Sequence, residues 1–211
     1  MNIWWIRRDL RINDNQALIS ALNHGTGVLP VFILDEHLLK ASNGKRGMFL
    51  ISGLQKLDED LRRLDSRLIV RSGDPVDEIP RLVAESGSEC VFAEEDVTPY
   101  ARRRDASVAK QVKMRLNGGL TIHPPTAVVK SDCQPYTVFT PYSHFWKSLP
   151  LSEKALSAPR KLPPVPNIAS ILLPDPIVPD FFAAGEFEAQ RRLDEFLRGP
   201  IFEYANGHNR L

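Results

Sequence analysis

Cysteine is nearly absent. Cys90 and Cys133 are the only two among 211 residues. They are far apart and form no Cys-x-x-Cys pair, which excludes a disulfide framework and a thiolate metal site. Two reduced structural thiols read as a cytoplasmic chain. Long apolar runs are missing too. None approaches the ~18 residues that a membrane span needs. The first apolar run, residues 3–6, is followed by charge, the reverse of a signal peptide, and Arg7-Arg8 lacks the apolar region of a twin-arginine signal. Neither sign of charge dominates: 27 basic and 26 acidic residues leave +1. No global field steers the protein to nucleic acid or membrane, so any DNA contact would be local. The phosphate-binding glycine patterns G-x-G-x-x-G and Walker A do not occur; NGKRG (43–47), SGDP and NGG read as turns. G-x-S-x-G, H-E-x-x-H and clustered His/Cys ligands are also absent, and the five histidines are dispersed. The sequence holds no self-contained catalytic set.

What is present is an ordinary globular composition, 43% hydrophobic and 25% charged, long enough for one well-formed domain and something smaller. WWIRRDLRINDNQAL (4–18) organises the chain. Residues 2–6 read as a buried strand, 7–14 as a charged loop, and 16–22 as a helix. Residues 28–34 give a second buried strand, ended by Asp35. A turn at 43–47 precedes a helix at 48–64 with apolar residues three or four apart. A third strand is expected at 67–71. Asp74 can cap, and Pro75 suits the first position of, a helix at 76–85. Strand four is expected at 89–93, a basic helix at 99–116 ended by Gly118-Gly119, and strand five at 120–123. Five short strands alternating with helices predict an α/β fold, a doubly wound five-stranded parallel sheet of Rossmann-like type.

Beyond Pro124 the periodicity is lost. Residues 136–146 are rich in aromatics. Eight of the 17 prolines lie between 150 and 179, so this stretch reads as an extended linker, too long for an ordinary loop. It would lie along the first domain or lead to a second. Short helices are expected at 186–197 and 201–205. A helix pair after a long linker cannot bury its apolar face alone. It would pack back on the α/β domain, on a partner chain, or on a domain missing from a truncated chain. The expected organisation is an α/β domain at 1–130, a linker at 131–184 and opening helices at 185–211.

Two loops could carry a ligand, 7–14 after strand one and 94–105 after strand four. If the strand order is 3-2-1-4-5, both line the switch-point crevice. They would offer carboxylates (Asp9, Asp35, Glu95, Asp96, Asp105), guanidinium groups (Arg8, Arg46, Arg102) and the face of Tyr100, a set suited to a flat polar heterocycle. The bland alternative is that Arg8–Asp9 and Arg102–Asp105 merely pair and tie the loops down. Arg102-Arg103-Arg104 lacks aromatic interleaving and reads as a solvated helix face with one buried arginine, not a nucleic-acid patch.

WWIRRDLRINDNQAL, PVFILD, KRGMFLISGLQKLDEDL, LIVRSGDP, VFAEEDVTPYARRRD, PYTVFTPYSHFWK and EFEAQRRLDEFLRGPIFEYANGHNRL, in that order, resemble the N-terminal part of DNA photolyases and cryptochromes. The resemblance implies a light-harvesting antenna domain, joined in the full-length protein to a helical domain that binds FAD and flips damaged pyrimidines out of DNA. A Thr-Ser-x-Leu-Ser-Pro-like flavin-phosphate segment would begin just after residue 211. It implies antenna contacts at Asp35, Arg46, Asp96, Tyr100 and Arg102, to which the first loop adds Arg8 as a cofactor contact. Tyr204 matches a tyrosine placed against FAD. Folate-binding members present Asn-Glu where this chain has Tyr100-Ala101. The antenna expected is therefore a deazaflavin or FMN rather than methenyltetrahydrofolate. The chain alone is expected neither to hold FAD tightly nor to repair damaged DNA.

Overall fold

The structure, a computed structural model, describes residues 1–40, 44–151, 155–175 and 183–208. Asn43 of the expected turn, Pro176 and Pro179 of the linker, and residues 209–211 lie outside the described residues.

Five strands form one parallel sheet: β1 (Asn2–Ile6), β2 (Val28–Leu34), β3 (Ile69–Ser72), β4 (Val91–Glu95) and β5 (Met114–Gly119), in the order β3-β2-β1-β4-β5. Every residue of β1 and β2 is buried, as a strand covered on both faces requires. Side chains alternate between faces. Trp4, Ile6, Phe32 and Phe92 pack on helices α1 (Gln16–Asn23) and α3 (Gly44–Arg63) through Leu18, Leu54, Leu57 and Leu61. Ile3, Trp5, Val31 and Ile33 pack on α4 (Pro75–Ser86) and α5 (Pro99–Ala109) through Ile79, Leu82 and Val108. The sheet is doubly wound, as its alternating elements predict.

Several boundaries depart from expectation. Residues 44–47 are the first turn of α3, and a short helix α2 (Glu36–Lys40) follows β2. β3 and β4 each start two residues later than expected. The basic helix stops at Ala109, and strand five is residues 114–119, not 120–123. β5 is an edge strand with half its residues exposed, so it lacks the apolar run that marks the central strands. The expected helix-ending glycines lie inside it, at a register shift opposite Glu94 and Glu95. Gly118 has φ +55, and a Cβ there would lie 2.3 Å from the end of the Gln16 side chain, so glycine suits the position and a larger residue would have to displace Gln16. The aromatic stretch forms helix α6 (Phe139–Ser148).

The proline-rich connector runs along the first domain. Leu162 and Ile168 are buried in the two cores. The Leu162 amide donates to the Leu64 carbonyl at 2.8 Å and the Ile171 amide to the Val70 carbonyl at 2.9 Å, while Ser170 Oγ accepts from the Val70 amide. The connector therefore covers the outer edge of β3, which would otherwise present unpaired backbone groups. Helices α7 (Glu186–Arg198) and α8 (Tyr204–Gly207) follow, without buried residues.

Candidate functional site

β1 and β4 are neighbours, and the chain's direction of winding reverses between them. The carboxyl ends of such a strand pair open a crevice where ligands settle. Trp5, near the end of β1, forms its floor. The guanidinium groups of Arg7 and Arg104 lie 5.0 and 4.8 Å from the centre of the Trp5 ring. Both bond the same carboxylate: Asp105 accepts from Arg7 Nη1 at 2.6 Å and from Arg104 Nη2 at 2.8 Å. Arg7 also donates to the Glu94 carbonyl. All three ionic side chains are over nine-tenths buried. Two cations share one anion, so the floor keeps a surplus positive charge, stabilised by the indole face and the carbonyl.

Above the floor lies a cavity of about 350 Å³, bounded by Trp5, Arg8, Asp35, Asp96, Tyr100 and Arg104 among others. Thr98 caps α5 and Pro99 begins it, which sets Tyr100 at the cavity wall. The Tyr100 hydroxyl donates to the Asp35 carboxylate. Burial first, and Asp35 second, push Tyr100 up to about 12. The other Asp35 oxygen accepts the His37 amide at 2.9 Å, and the His37 ring stacks on Tyr100 at 5.1 Å between centroids. Arg8 approaches Asp96 at 3.7 Å with its own side chain 61% exposed. Burial opposes ionisation of Asp96, but the Thr98 amide and hydroxyl, aided by Arg8, hold its carboxyl below the usual range. This ion pair divides the cavity from a second hollow of about 550 Å³ beside Gln16, Gly118 and Thr121. A larger hollow, about 920 Å³, lies beneath the connector against α3. It has no aromatic wall and is far from the switch point in the fold.

Four of the expected site residues, Arg8, Asp35, Asp96 and Tyr100, meet at this cavity. Three do not line it. Arg46 lies in the first turn of α3, Arg102 is on the exposed face of α5, and Tyr204 is 60% exposed on α8, edge-on to Phe196. The buried arginine of the RRR run is Arg104, four residues from Tyr100 and so on the same helix face, whereas Arg102 is on the other. The bland pairing scheme is replaced: Asp105 takes Arg7 and Arg104, and Arg8 faces Asp96.

Sequence reasoning passed over Trp5, Arg104 and Glu94. Glu94 is 3% exposed, accepts the Gln16 amide at 3.2 Å, and leaves its second oxygen buried without a partner among the described residues. Burial, then repulsion from Asp9, pushes it up to about 7. The alternation of β4 was the available signal, because Glu94 follows Phe92 onto the α1 face.

The DNA photolyase family model matches residues 2–166. An uncharacterised 31.6 kDa protein of Synechococcus sp. is 34% identical, covering 99% of this chain and 79% of that protein. A deoxyribodipyrimidine photo-lyase of Agrobacterium fabrum is 28% identical over 98% of this chain and 47% of its own length. A class III photolyase structure from Agrobacterium tumefaciens superposes with a TM-score of 0.85 at 26% identity, over 98% of this chain and 46% of that one. The chain thus spans about half the length of the photolyases it matches. It belongs to the DNA photolyase family and corresponds to that family's N-terminal region.

Proposed function

We propose that the β1–β4 crevice lodges a planar antenna chromophore and that the chain is the light-harvesting part of a deoxyribodipyrimidine photolyase. The observation that carries this is the cavity itself: an indole floor and a phenol wall enclose about 350 Å³, within the usual range for ligand sites. The residues fit a fused heterocycle. Tyr100 supplies an aromatic wall, the buried Trp5 backs the floor beneath Arg7 and Arg104, Arg8 supplies donors, and Asp35 and Asp96 supply acceptors. Tyr100-Ala101 in place of Asn-Glu supports a deazaflavin or FMN over methenyltetrahydrofolate. When bound, the chromophore would supply absorption of blue light. The protein's own groups would orient it and exclude water.

FAD would be held, and damaged DNA repaired, only together with a helical half, because Tyr204 is the single residue here matched to an FAD contact and it is 60% exposed. The organisation into an α/β unit at 1–130, a linker at 131–184 and opening helices from 185 belongs to the same proposal. Two free thiols support a cytoplasmic location. Fluorescence titration with FMN and with methenyltetrahydrofolate tests the reading. FMN should saturate a single site, and Tyr100→Ala should weaken it about tenfold, as expected for one lost stacking face. Tighter folate binding, or indifference to Tyr100→Ala, would overturn it.

A second reading is a stand-alone chromophore- or nucleotide-binding module. The Synechococcus relative supports it, since this chain already covers 79% of that protein, leaving little there for a helical half.

A further inference from the structure

The loop that joins β1 to α1 has two sides. Its inner side delivers Arg7 and Arg8 to the crevice. Asp9 ties that side, accepting the Arg7 amide at 3.1 Å and the Asn15 side chain at 2.9 Å. The outer side is held from elsewhere in the chain. The Glu186 carboxylate, on the first residue of α7, accepts the Ile12 amide at 2.8 Å and the Asn13 amide at 3.2 Å. Next to this, Asp14 and Leu156 exchange two bonds: the Asp14 amide donates to the Leu156 carbonyl at 2.8 Å, and the Leu156 amide to Asp14 Oδ1 at 3.0 Å.

The Glu186 contact is a local carboxylate latch rather than a packed joint. α7 has no buried residue. A hollow of about 600 Å³ separates its start from the α/β domain, lined by Ile12, Asp60, Leu64, Pro159 and Phe187 among others. Gly185 brings the chain in at φ +112, and a Cβ there would lie 3.0 Å from the Lys56 side chain. The approach is thus built for glycine, with Glu186 set immediately after it. Two consecutive amides aimed at one carboxylate form a charge-assisted pair of bonds. Asp60 faces the same latch: burial first, Arg63 in opposition, and then the Glu186 charge set its raised carboxyl.

We infer that Glu186 is a positioning residue for the crevice: by clamping Ile12 and Asn13 it holds the β1–α1 loop in the form that presents Arg7 and Arg8 to a ligand. Seating of α7 and occupancy of the crevice are then one equilibrium, and each strengthens the other. The part of this that concerns a ligand rests on the chromophore reading. The part that concerns the loop does not.

Hydrogen exchange on the full chain tests both parts. In Glu186→Ala the Ile12 and Asn13 amides should exchange about tenfold faster, the effect of losing a charge-assisted bond. The Arg7 amide, at the crevice end, should speed up as well, while β2 amides keep their rates. Asp14→Gly, which allows the left-handed backbone of Asp14 (φ +50) and removes the side chain that accepts the Leu156 amide, should also speed exchange at Arg7. Saturating FMN should slow exchange at Ile12 and Asn13 in the wild type, and Glu186→Ala should weaken FMN severalfold. Glu188→Ala, on the same helix but paired with Arg191 and Arg192, should change none of this. Acceleration confined to Ile12 and Asn13, with Arg7 unaffected, would overturn the inference. If the wild type does not bind FMN, the chromophore reading fails, and the Arg7 amide still decides the role of Glu186.

Discussion

Replacing Glu94 by glutamine should stabilise the protein increasingly as pH rises from about 4.5 to about 7, with the gain complete above neutral pH. Glu94 pairs in register with Asn117 on the neighbouring parallel strand, so their side chains leave the sheet on the same face. Glu94 Oε2 and Asn117 Oδ1 are both buried acceptors without a partner among the described residues. A proton on Oε2 turns that oxygen into a donor on the same side of the sheet as Asn117 Oδ1. Burial, Asp9 and Asp14 favour that neutral form, and Arg11 and the Gln16 amide oppose it, leaving Glu94 near 7 against an ordinary 4.5. Between those values the native state holds a proton that the unfolded chain has released. Stability from this group is therefore complete below about pH 4.5 and is lost as pH rises through about 7. At about 1.4 kcal/mol per pH unit the full loss is about 3 kcal/mol. Glutamine keeps an oxygen for the Gln16 amide and offers Asn117 a donor at every pH. Urea unfolding followed by tryptophan fluorescence at several pH values measures the difference. Glu94→Gln should match the wild type near pH 4.5 and exceed it by about 2–3 kcal/mol at pH 8. A difference that does not vary with pH, or a variant weaker than the wild type at pH 8, would refute the reasoning.

Alkaline ultraviolet titration should show one tyrosine ionising near 12, and Asp35→Ala should lower it only part of the way toward 10, because burial is the larger cause. The same variant loses the cap of α2 and should destabilise the fold by about 1–2 kcal/mol in thermal unfolding. Leu162→Ala, in the connector, should cost about 2–4 kcal/mol in urea unfolding, since that side chain is fully enclosed in the α3 core. A cost near zero would mean that the connector is not part of the folded unit. Arg104→Leu should destabilise by about 3 kcal/mol by breaking the buried Arg7–Asp105–Arg104 group, whereas the exposed Arg102→Leu should stay within about 0.5 kcal/mol; equal effects would contradict the assignment of the buried arginine.

The parts of the fold that are legible in the sequence are those whose signal is burial or a cap. β1 and β2 are covered on both faces and read as continuous apolar runs. Asp74-Pro75 marks the start of α4 and Thr98-Pro99 that of α5. β5 is the contrary case. At the sheet edge Arg115 covers Phe92 and Leu116 is exposed, so its residues look like the tail of a basic helix. α6 escapes notice because its aromatics are half-buried or exposed, without an apolar stripe. In the site, the loops and the switch point follow from element order, and Arg8, Asp35, Asp96 and Tyr100 follow from the loops. Arg104 could have been chosen over Arg102 by helical spacing alone. Glu94 is harder, since EED reads as a solvated turn until β4 is known to extend through Glu95. Glu186 could not be found from sequence, because its partners are two backbone amides more than 170 residues away.

The most direct measurement is a crystal structure of the full chain grown with FMN. Ordered ring density against Tyr100 in the crevice, with Arg8 at its edge, is the expected result. An empty crevice at saturating FMN, or density only in the hollow beneath the connector, would contradict the proposed function.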